Sequence, residues 1–345
     1  MKFDSNYPHN NFPQLKDLIS QWKELSQYFS PSSLTKSSVH KNIAFPVSKK
    51  SGPFHSLVKD LFNRVETTSF PLMVYKSKEQ DFFLLGLGEA AKTDNPDFSD
   101  NIVLFGGQAF EDGLASQEWS DFGERLFIAP QLGLQYREDQ GQANLEIFIQ
   151  GETDKTSTID VLIDILHESL EKDLEDATPA ENTSNSQSWQ RQREVPSYTQ
   201  WEEMLSMAQM ELSSNQMNET GLEKIVLSRQ QIISERPDDN KNQDALLLSE
   251  LYENHAQDSY FYFFRPLAKD YFVSVTPEKL FTLKTDAQKS TLMVDAIAGT
   301  RKRGQTKNDD EILSRELANS IKDLNEHRYV KKDIQKKLEA LGTPT

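Results

Sequence analysis

Short runs of aromatic and β-branched residues alternate along this chain with segments of helical spacing, and this alternation limits the folds open to it. The strand-like runs are Phe70–Tyr75, Asp81–Ala90, Ile102–Phe110, Phe127–Pro130, Leu145–Gln150, Tyr260–Arg265, Tyr271–Val275, Leu280–Thr285 and Thr291–Ile297. Apolar residues recur at helical spacing over Ile159–Leu170, Leu246–His255 and Asn308–Leu324, and in a last helix that starts near Glu326. This mixture predicts an α+β or mixed α/β fold in which sheets are layered with helices.

Changes in composition divide the chain into four parts. Residues 1–60 are polar and contain one amphipathic helix between Leu15 and Phe29, and residues 61–171 form the first half of the fold. Residues 172–196, rich in Glu, Asp, Thr, Asn and Ser, are predicted to be a loop or linker. Residues 197–345 form the second half. Its helices are predicted from three end signals: the pair Thr199 and Glu202, the pair Asn308 and Glu311, and the terminating Gly342.

Lys224 stands in the run Glu223–Arg229, whose apolar and β-branched residues are typical of a strand with a buried face. Lysine is rarely buried unless it is paired or catalytic, and desolvation lowers the pKa of an amine toward the range where it acts as a base. In the plainer interpretation, Lys224 faces outward at the start of the strand and keeps its ammonium group in water. Lys224 is therefore a candidate general base, with both interpretations open at this point.

Charge and cysteine content exclude several functions. The formal net charge of -16 argues against general nucleic-acid binding, because no excess of basic residues is present to neutralise phosphates. The lack of cysteine excludes disulfides, thiolate nucleophiles and cysteine-based zinc sites. The N-terminus has no signal-peptide core, and no apolar run is long enough to span a bilayer. We expect a cytoplasmic, monomeric enzyme without nucleic-acid or membrane partners.

Four segments carry side chains suited to catalysis, and each also has a plainer interpretation. Glu278 fits a solvated turn, Arg301 and Arg303 fit a basic surface loop, and Glu326 fits an acidic helix start. The four segments, in chain order, are Glu223–Arg229, Val275–Phe281, Ala296–Gly304 and Asp323–Arg328. In this order and spacing, and together with Phe105–Phe110 and Phe127–Pro130, they resemble the chorismate-utilising enzymes, most closely the isochorismate synthases. The resemblance runs from about residue 70 to the end and is densest over 196–334.

The resemblance implies a large, mostly antiparallel β-sheet layered with helices, built from two similar halves, with chorismate as substrate and Mg²⁺ as cofactor. Lys224 matches the general base that activates water for attack at C2 of the ring. Glu278 matches the general acid that protonates the departing C4 hydroxyl. These groups suit the two steps, because water attacks poorly and hydroxide leaves poorly without proton transfer.

The same resemblance assigns binding roles. Gly299 and Thr300 match positions that bind the ring carboxylate through the backbone or hydroxyl, and glycine permits close approach of an anion. Glu326 matches a magnesium ligand, and Asp323, one turn earlier, is a candidate to support that site from outside the ligand shell. Oxygen ligands and retained waters suit Mg²⁺.

Two positions distinguish the subfamilies by resemblance. Anthranilate synthases have glutamine at the position of Lys224, and aminodeoxychorismate synthases have lysine at the position of Ala298. Neither matches this chain, so water is the favoured nucleophile. Salicylate synthases share both residues and add pyruvate elimination, and they remain the alternative.

The family continues beyond the position of Thr345, so the resemblance leads us to expect a C-terminally incomplete or shortened chain. The C-terminal strands, the second magnesium ligand, and a substrate-binding arginine and tyrosine would then be absent from it. A non-catalytic member of the fold is the competing hypothesis. The product could feed menaquinone, siderophore or salicylate synthesis, and the N-terminal half favours menaquinone.

Overall fold

The structure is a computed structural model of the 345-residue chain. It describes residues 41–47, 53–65, 67–79, 81–96, 102–110, 113, 119–139, 142–150, 161–162, 164–165, 168, 189–214, 224–235, 243–267, 270–285 and 289–342. The predicted helix between Leu15 and Phe29 and the linker residues 172–188 lie outside these ranges.

The strands and helices follow one another with short connections over most of the described chain. In chain order they are β1 Lys41–Val47, α1 Pro53–Asn63, β2 Leu72–Lys76, β3 Phe82–Leu87, β4 Ala91–Thr93, β5 Phe105–Gln108, β6 Arg125–Ala129, β7 Leu132–Asp139, β8 Gln142–Ile149, β9 Trp189–Val195, α2 Tyr198–Ser214, β10 Gln230–Glu235, α3 Gln243–Glu250 with a π-helical turn at Leu251–His255, β11 Tyr260–Arg265, β12 Phe272–Thr276, β13 Thr282–Thr285, β14 Ser290–Met293, α4 Lys307–Asn319 and α5 Ile321–Ala340. Described residues between 161 and 168 are also helical, as predicted.

A seven-stranded antiparallel sheet is the centre of the fold. Its order is β1-β8-β7-β3-β2-β11-β12, so strands from both halves of the sequence share one sheet. The join is the pair β2–β11, in which Val74 lies opposite Phe263. A three-stranded sheet, β4-β6-β5, and two ribbons, β9–β10 and β13–β14, complete the described strands. These antiparallel sheets layered with helices confirm the predicted α+β class.

Alternating side chains give the central sheet two buried faces. In β2, Leu72 and Val74 point to one core cluster while Met73 points to the other. Helices α1 and α3 cover the first face, which also receives Phe261 and Phe263 of β11. The three-stranded sheet covers part of the second face through Phe105, Leu126 and Ile128. This explains why these runs are apolar throughout and not alternating.

Arg265, at the end of β11, has a fully buried side chain. Its guanidinium donates to the carbonyl of Val65, to the hydroxyl of Thr68 at 2.8 Å and to the carbonyl of Phe70 at 2.8 Å. Burial lowers the pKa of Arg265 to about 10, so the group is charged at neutral pH. Arg265 thus fastens the segment that follows α1 to the central sheet.

Paired glycines within a strand indicate a bulge or a close backbone approach, and Gly106 of the Gly106–Gly107 pair in β5 makes such an approach. A Cβ on Gly106 would collide with the carbonyl oxygen of Leu126 and lie 2.7 Å from the Cα of Phe127. The Gly106 carbonyl also accepts a hydrogen bond from the Tyr262 hydroxyl at 3.1 Å. A Cβ on Gly107 would meet nothing within 4 Å.

Gly106→Ala is expected to lower the free energy of unfolding by about 1–3 kcal/mol, because β5 must move away from the backbone of β6. Gly107→Ala is the matched control and should change that free energy by no more than about 0.5 kcal/mol. Urea denaturation of the three proteins measures both effects. Equal losses in the two variants would contradict the assignment of the close approach to Gly106.

The predicted strand around Lys224 is wrong. Residues 224–229 have no strand assignment, and β10 begins only at Gln230. Lys224 is exposed, and Val226 is 80% exposed. An apolar run favours an extended chain, but a strand also needs a partner, and the described residues supply none before Gln230.

The predicted linker is also interrupted by structure. Trp189–Val195 forms strand β9 and pairs with β10. This ribbon is largely polar and exposed, so it lacks the apolar alternation by which a half-buried strand is recognised.

The helix ends differ from the predicted ones by a few residues. Ser197 precedes helix α2 and exchanges hydrogen bonds with Gln200. The predicted cap pair was Thr199 and Glu202. Helix α4 is capped by Thr306 and Asp309 in place of Asn308 and Glu311. Helix α5 begins at Ile321, five residues before the predicted start near Glu326. Gly342 follows the last turn with φ +72, which confirms its predicted terminating role.

Burial is unevenly distributed along the chain. None of the described residues between 267 and 342 is buried, although that range includes β12 to β14 and both α4 and α5. The stabilising core therefore lies before residue 267. Within the described residues, no helix combines the length and apolar character needed to cross a bilayer.

Candidate active site

The structure brings Lys224 and Glu326 together although 102 residues separate them in the sequence. The Lys224 Nζ lies 3.3 Å from Glu326 Oε1, and the two side chains are 38% and 40% exposed. A pair this exposed contributes at most about 1 kcal/mol to stability. Its interest is chemical, because an amine and a carboxylate meet at a surface that solutes can reach.

Helix α5 presents Glu326 between two other polar residues of the same face. Asp323, Glu326 and His327 occupy positions i, i+3 and i+4, which are neighbours on a helix surface. Ser320 sets this phase, because its hydroxyl accepts a hydrogen bond from the Asp323 backbone at 3.3 Å and starts the helix. The break between α4 and α5 thus determines which residues face the site.

The Gly299–Arg301 segment lies against the first turn of α5. Gly299 has φ +84, and a Cβ there would lie 3.0 Å from the Cβ of Asp323. Arg301 Nη2 is 2.7 Å from Asp323 Oδ2, and Arg301 Nη1 donates to the Thr300 carbonyl at 2.9 Å. Hydrogen bonding to Ser320, followed by the pair with Arg301, lowers the pKa of the Asp323 carboxyl.

The two arginines of this segment have different environments. Arg301 is 32% exposed and is held by Asp323, whereas Arg303 is 90% exposed and pairs with Asp310 beside the start of α4. The surface interpretation therefore fits Arg303 and does not fit Arg301. The partner of Arg301 is Asp323, which lies 22 residues away in the sequence, and no sequence pattern indicates this pair.

His327 makes a second connection between α5 and the same segment. Its Nε2 lies 3.0 Å from the carbonyl oxygen of Ala296. Because that oxygen can only accept, the proton of this hydrogen bond resides on Nε2. Helix α5 thus contacts the segment at both Ala296 and Arg301, on either side of Gly299.

Glu278 lies in an exposed turn that follows β12. Its backbone N–H donates to the Thr276 hydroxyl at 3.2 Å, and Lys78 donates to the neighbouring Pro277 carbonyl at 3.4 Å. Among the described residues, no hydrogen bond or ion pair joins the Glu278 carboxylate to Lys224 or Glu326. Its position across the substrate from Lys224 stays a prediction.

A polar cluster lies next to Glu278 in the sequence. The Tyr260 hydroxyl donates to Glu79 at 3.2 Å, and the Lys279 Nζ lies 5.6 Å from the centre of the Tyr260 ring. Partial burial acts to lower the pKa of Lys279, but the Tyr260 hydrogen bond and the charges of Asp295 and Glu79 raise it overall. Asp295, whose charge acts on Lys279, directly precedes Ala296 in the segment that α5 contacts. No pattern in the sequence indicates this cluster.

Metal-binding capacity is limited among the described residues. They contain no group of three or more His, Cys, Asp or Glu side chains that could hold an ion. Glu326 offers one carboxylate, and that of Asp323 is engaged by Arg301. Mg²⁺ often binds through one or two carboxylates, with waters and substrate oxygens in the remaining positions. The oxygen ligand at Glu326 fits Mg²⁺ in that form.

Comparisons with known proteins agree on one family. The family described as "Chorismate binding enzyme" matches residues 78–345. The chloroplastic isochorismate synthase of Catharanthus roseus is 25% identical over 227 residues, covering 66% of this chain and 37% of that protein. The isochorismate synthase MenF of Bacillus subtilis is 24% identical over 300 residues, covering 87% of this chain and 55% of that protein. The chain thus spans about half or less of the length of these relatives.

A solved structure shares the fold. This is the structure of MenF, the menaquinone-specific isochorismate synthase from Escherichia coli. The match covers 94% of this chain and 69% of the MenF chain, with a TM-score of 0.60. The sequence identity is 17%, so this likeness concerns the fold alone.

Proposed function

This chain belongs to the chorismate-binding enzymes, and on that premise we propose that it converts chorismate to isochorismate. The observation that carries the proposal is the approach of the Lys224 amine to the carboxylate of Glu326, 3.3 Å apart, on the helix whose Asp323 packs against Gly299. The names of the curated relatives support the same reaction.

The proposed reaction needs two proton transfers and no redox change. The oxygen of a water molecule bonds to C2 of the ring while Lys224 accepts the water's proton. The ring double bonds shift, the C4–O bond breaks, and Glu278 gives its proton to the departing hydroxyl. One water enters and one leaves, so the product is an isomer of the substrate. Proton transfers of this kind typically accelerate a step by about 10²–10⁴-fold each.

Substrate binding is assigned to the segment that contacts α5. Chorismate is a dianion, and the backbone and hydroxyl of Gly299 and Thr300 offer donors to its ring carboxylate. Glu326 would hold Mg²⁺, which would supply positive charge to a substrate carboxylate. Positive charge and donors at this point also compensate for the overall charge of -16, which repels anions.

The direct test is to incubate the purified protein with chorismate and Mg²⁺ and to identify the products by chromatography and NMR. We expect isochorismate, loss of the activity with EDTA, and its recovery when Mg²⁺ is restored in excess. Pyruvate formed together with salicylate would instead support the salicylate synthase alternative. Unchanged chorismate under conditions where a MenF enzyme is active would contradict the proposal and favour a non-catalytic role.

We propose menaquinone synthesis as the consuming pathway, because two of the matched proteins are MenF enzymes. Deleting the gene from its host should then abolish menaquinone unless a second isochorismate synthase is present. Normal menaquinone levels in a host without a second such gene would contradict this assignment.

A further inference from the structure

Arg301 uses both terminal nitrogens of its guanidinium within the protein. One donates to the carbonyl of Thr300 at 2.9 Å, and the other donates to the carboxylate of Asp323 at 2.7 Å. Hydrogen bonds from arginine to carboxylates are among the stronger polar contacts in proteins, and the planar guanidinium holds its partners at defined angles. Arg301 is therefore committed to connecting its own backbone segment to helix α5.

The connection involves the two elements that form the proposed site. Asp323 is itself held at the helix start by Ser320, and His327 holds the carbonyl of Ala296 at 3.0 Å. Glu326 lies between Asp323 and His327 in the helix, and Gly299–Thr300 lies between Ala296 and Arg301 in the segment. The two connections therefore fix Glu326 relative to the Gly299–Thr300 backbone.

We propose that Arg301 is a positioning residue for substrate binding. Through the Thr300 carbonyl and the Asp323 carboxylate, it holds the Gly299–Thr300 backbone in the position that binds the substrate carboxylate. This rests on the proposed function, because it names the residue that prepares the same anion site. Arg301 acts through its neighbours and does not contact the substrate.

The test compares chorismate affinity in three variants by isothermal titration calorimetry, in EDTA so that neither turnover nor metal contributes. Arg301→Met and Asp323→Asn should each raise Kd for chorismate about tenfold, a typical coupling between groups in direct contact. The double variant should bind no more weakly than either single one, because both changes break the same connection. Arg303→Met is the matched control and should leave Kd unchanged.

The variant Asp323→Asn distinguishes the positioning role of Arg301 from two other roles. These are direct contact of Arg301 with the substrate and a contribution of Asp323 to metal binding alone. If Arg301 bound the substrate itself, releasing it from Asp323 would leave the affinity unchanged or increase it, and the inference would be overturned. If Asp323 served only the metal site, Asp323→Asn would change the Mg²⁺ concentration needed for half-maximal activity but not Kd in EDTA, which also overturns it.

A further variant tests whether a loss of affinity results from unfolding. Arg301→Lys keeps the charge but not the planar guanidinium, so it should give a Kd between those of the parent and Arg301→Met, with an unchanged unfolding midpoint. Failure of the parent to bind chorismate both in EDTA and in excess Mg²⁺ would remove the proposed function and this inference together. Binding by the parent only in excess Mg²⁺ would keep the proposed function and overturn the inference, because the Gly299–Thr300 backbone would not bind the carboxylate by itself. Tight binding by the parent with equal binding by Arg301→Met would remove the inference alone.

Discussion

Replacing Lys224 with methionine is expected to lower the turnover of chorismate by about 10²–10⁴-fold, the usual contribution of a general base. Methionine has a similar length and cannot accept the proton of the attacking water. Steady-state rates at saturating chorismate and Mg²⁺ measure the loss. Because the Lys224–Glu326 pair is largely exposed, the free energy of unfolding should change by no more than about 1 kcal/mol.

The control for this variant is Lys332→Met, which changes an exposed lysine on helix α5. It should leave both turnover and stability near the parent values. Turnover by Lys224→Met within a fewfold of the parent would contradict the base role. A loss of turnover accompanied by unfolding would show that the lysine is needed for structure instead.

Arg265→Ala is expected to have the largest effect on stability, lowering the free energy of unfolding by about 3 kcal/mol or more. It leaves the buried Val65 carbonyl and the partly buried Thr68 hydroxyl and Phe70 carbonyl without their donor. A fully buried acceptor that loses its donor costs about 1–3 kcal/mol. Loss of a large buried side chain adds a cavity. Removal of the buried charge works in the opposite direction and offsets part of the loss.

Arg315→Ala is the matched control for this prediction. Arg315 is 74% exposed and pairs with Glu311 on the same helix, so its loss should change stability by no more than about 0.5 kcal/mol. Chemical denaturation of both variants measures the difference. A loss below about 1 kcal/mol for Arg265→Ala would mean that the three acceptors find other donors or water.

The central sheet was predictable because its strands are buried. Tyr260–Arg265 has the predicted bounds, since five aromatic residues and a turn on each side leave few alternatives. The ribbon strand Trp189–Val195 was not predicted, because its polar residues pair without a buried face. Lys224 shows the opposite error, in which an apolar run suggested a buried strand where the chain is exposed.

The helix starts in the second half carry a signal in the sequence. Thr306 with Asp309, and Ser320 with Asp323, are hydroxyl residues followed three positions later by an acid. Asn308 and Glu311 have similar spacing, and the sequence alone does not rank the two pairs. The difference matters for function, because the start at Ile321 places Glu326 in the second turn of α5 and not at its beginning.

The candidate site was predictable as a set of residues but not as an arrangement. The order of Lys224, Glu278, Gly299, Thr300 and Glu326 along the chain is enough to indicate the family. The contacts Lys224–Glu326 and Arg301–Asp323 join distant parts of the chain, and no local pattern specifies them. Arg301 could be distinguished from Arg303 only when its partner on α5 was known.

The order of strands in the central sheet bears on how the protein is made. Strand β2 has β3 on one side and β11 on the other, and the residues joined by β2–β11 are nearly two hundred positions apart. As the nascent polypeptide leaves the ribosome, β2 emerges with an unsatisfied edge, and nearly two hundred further residues are translated before β11 arrives. An open apolar edge of this kind is where a chaperone would be needed most.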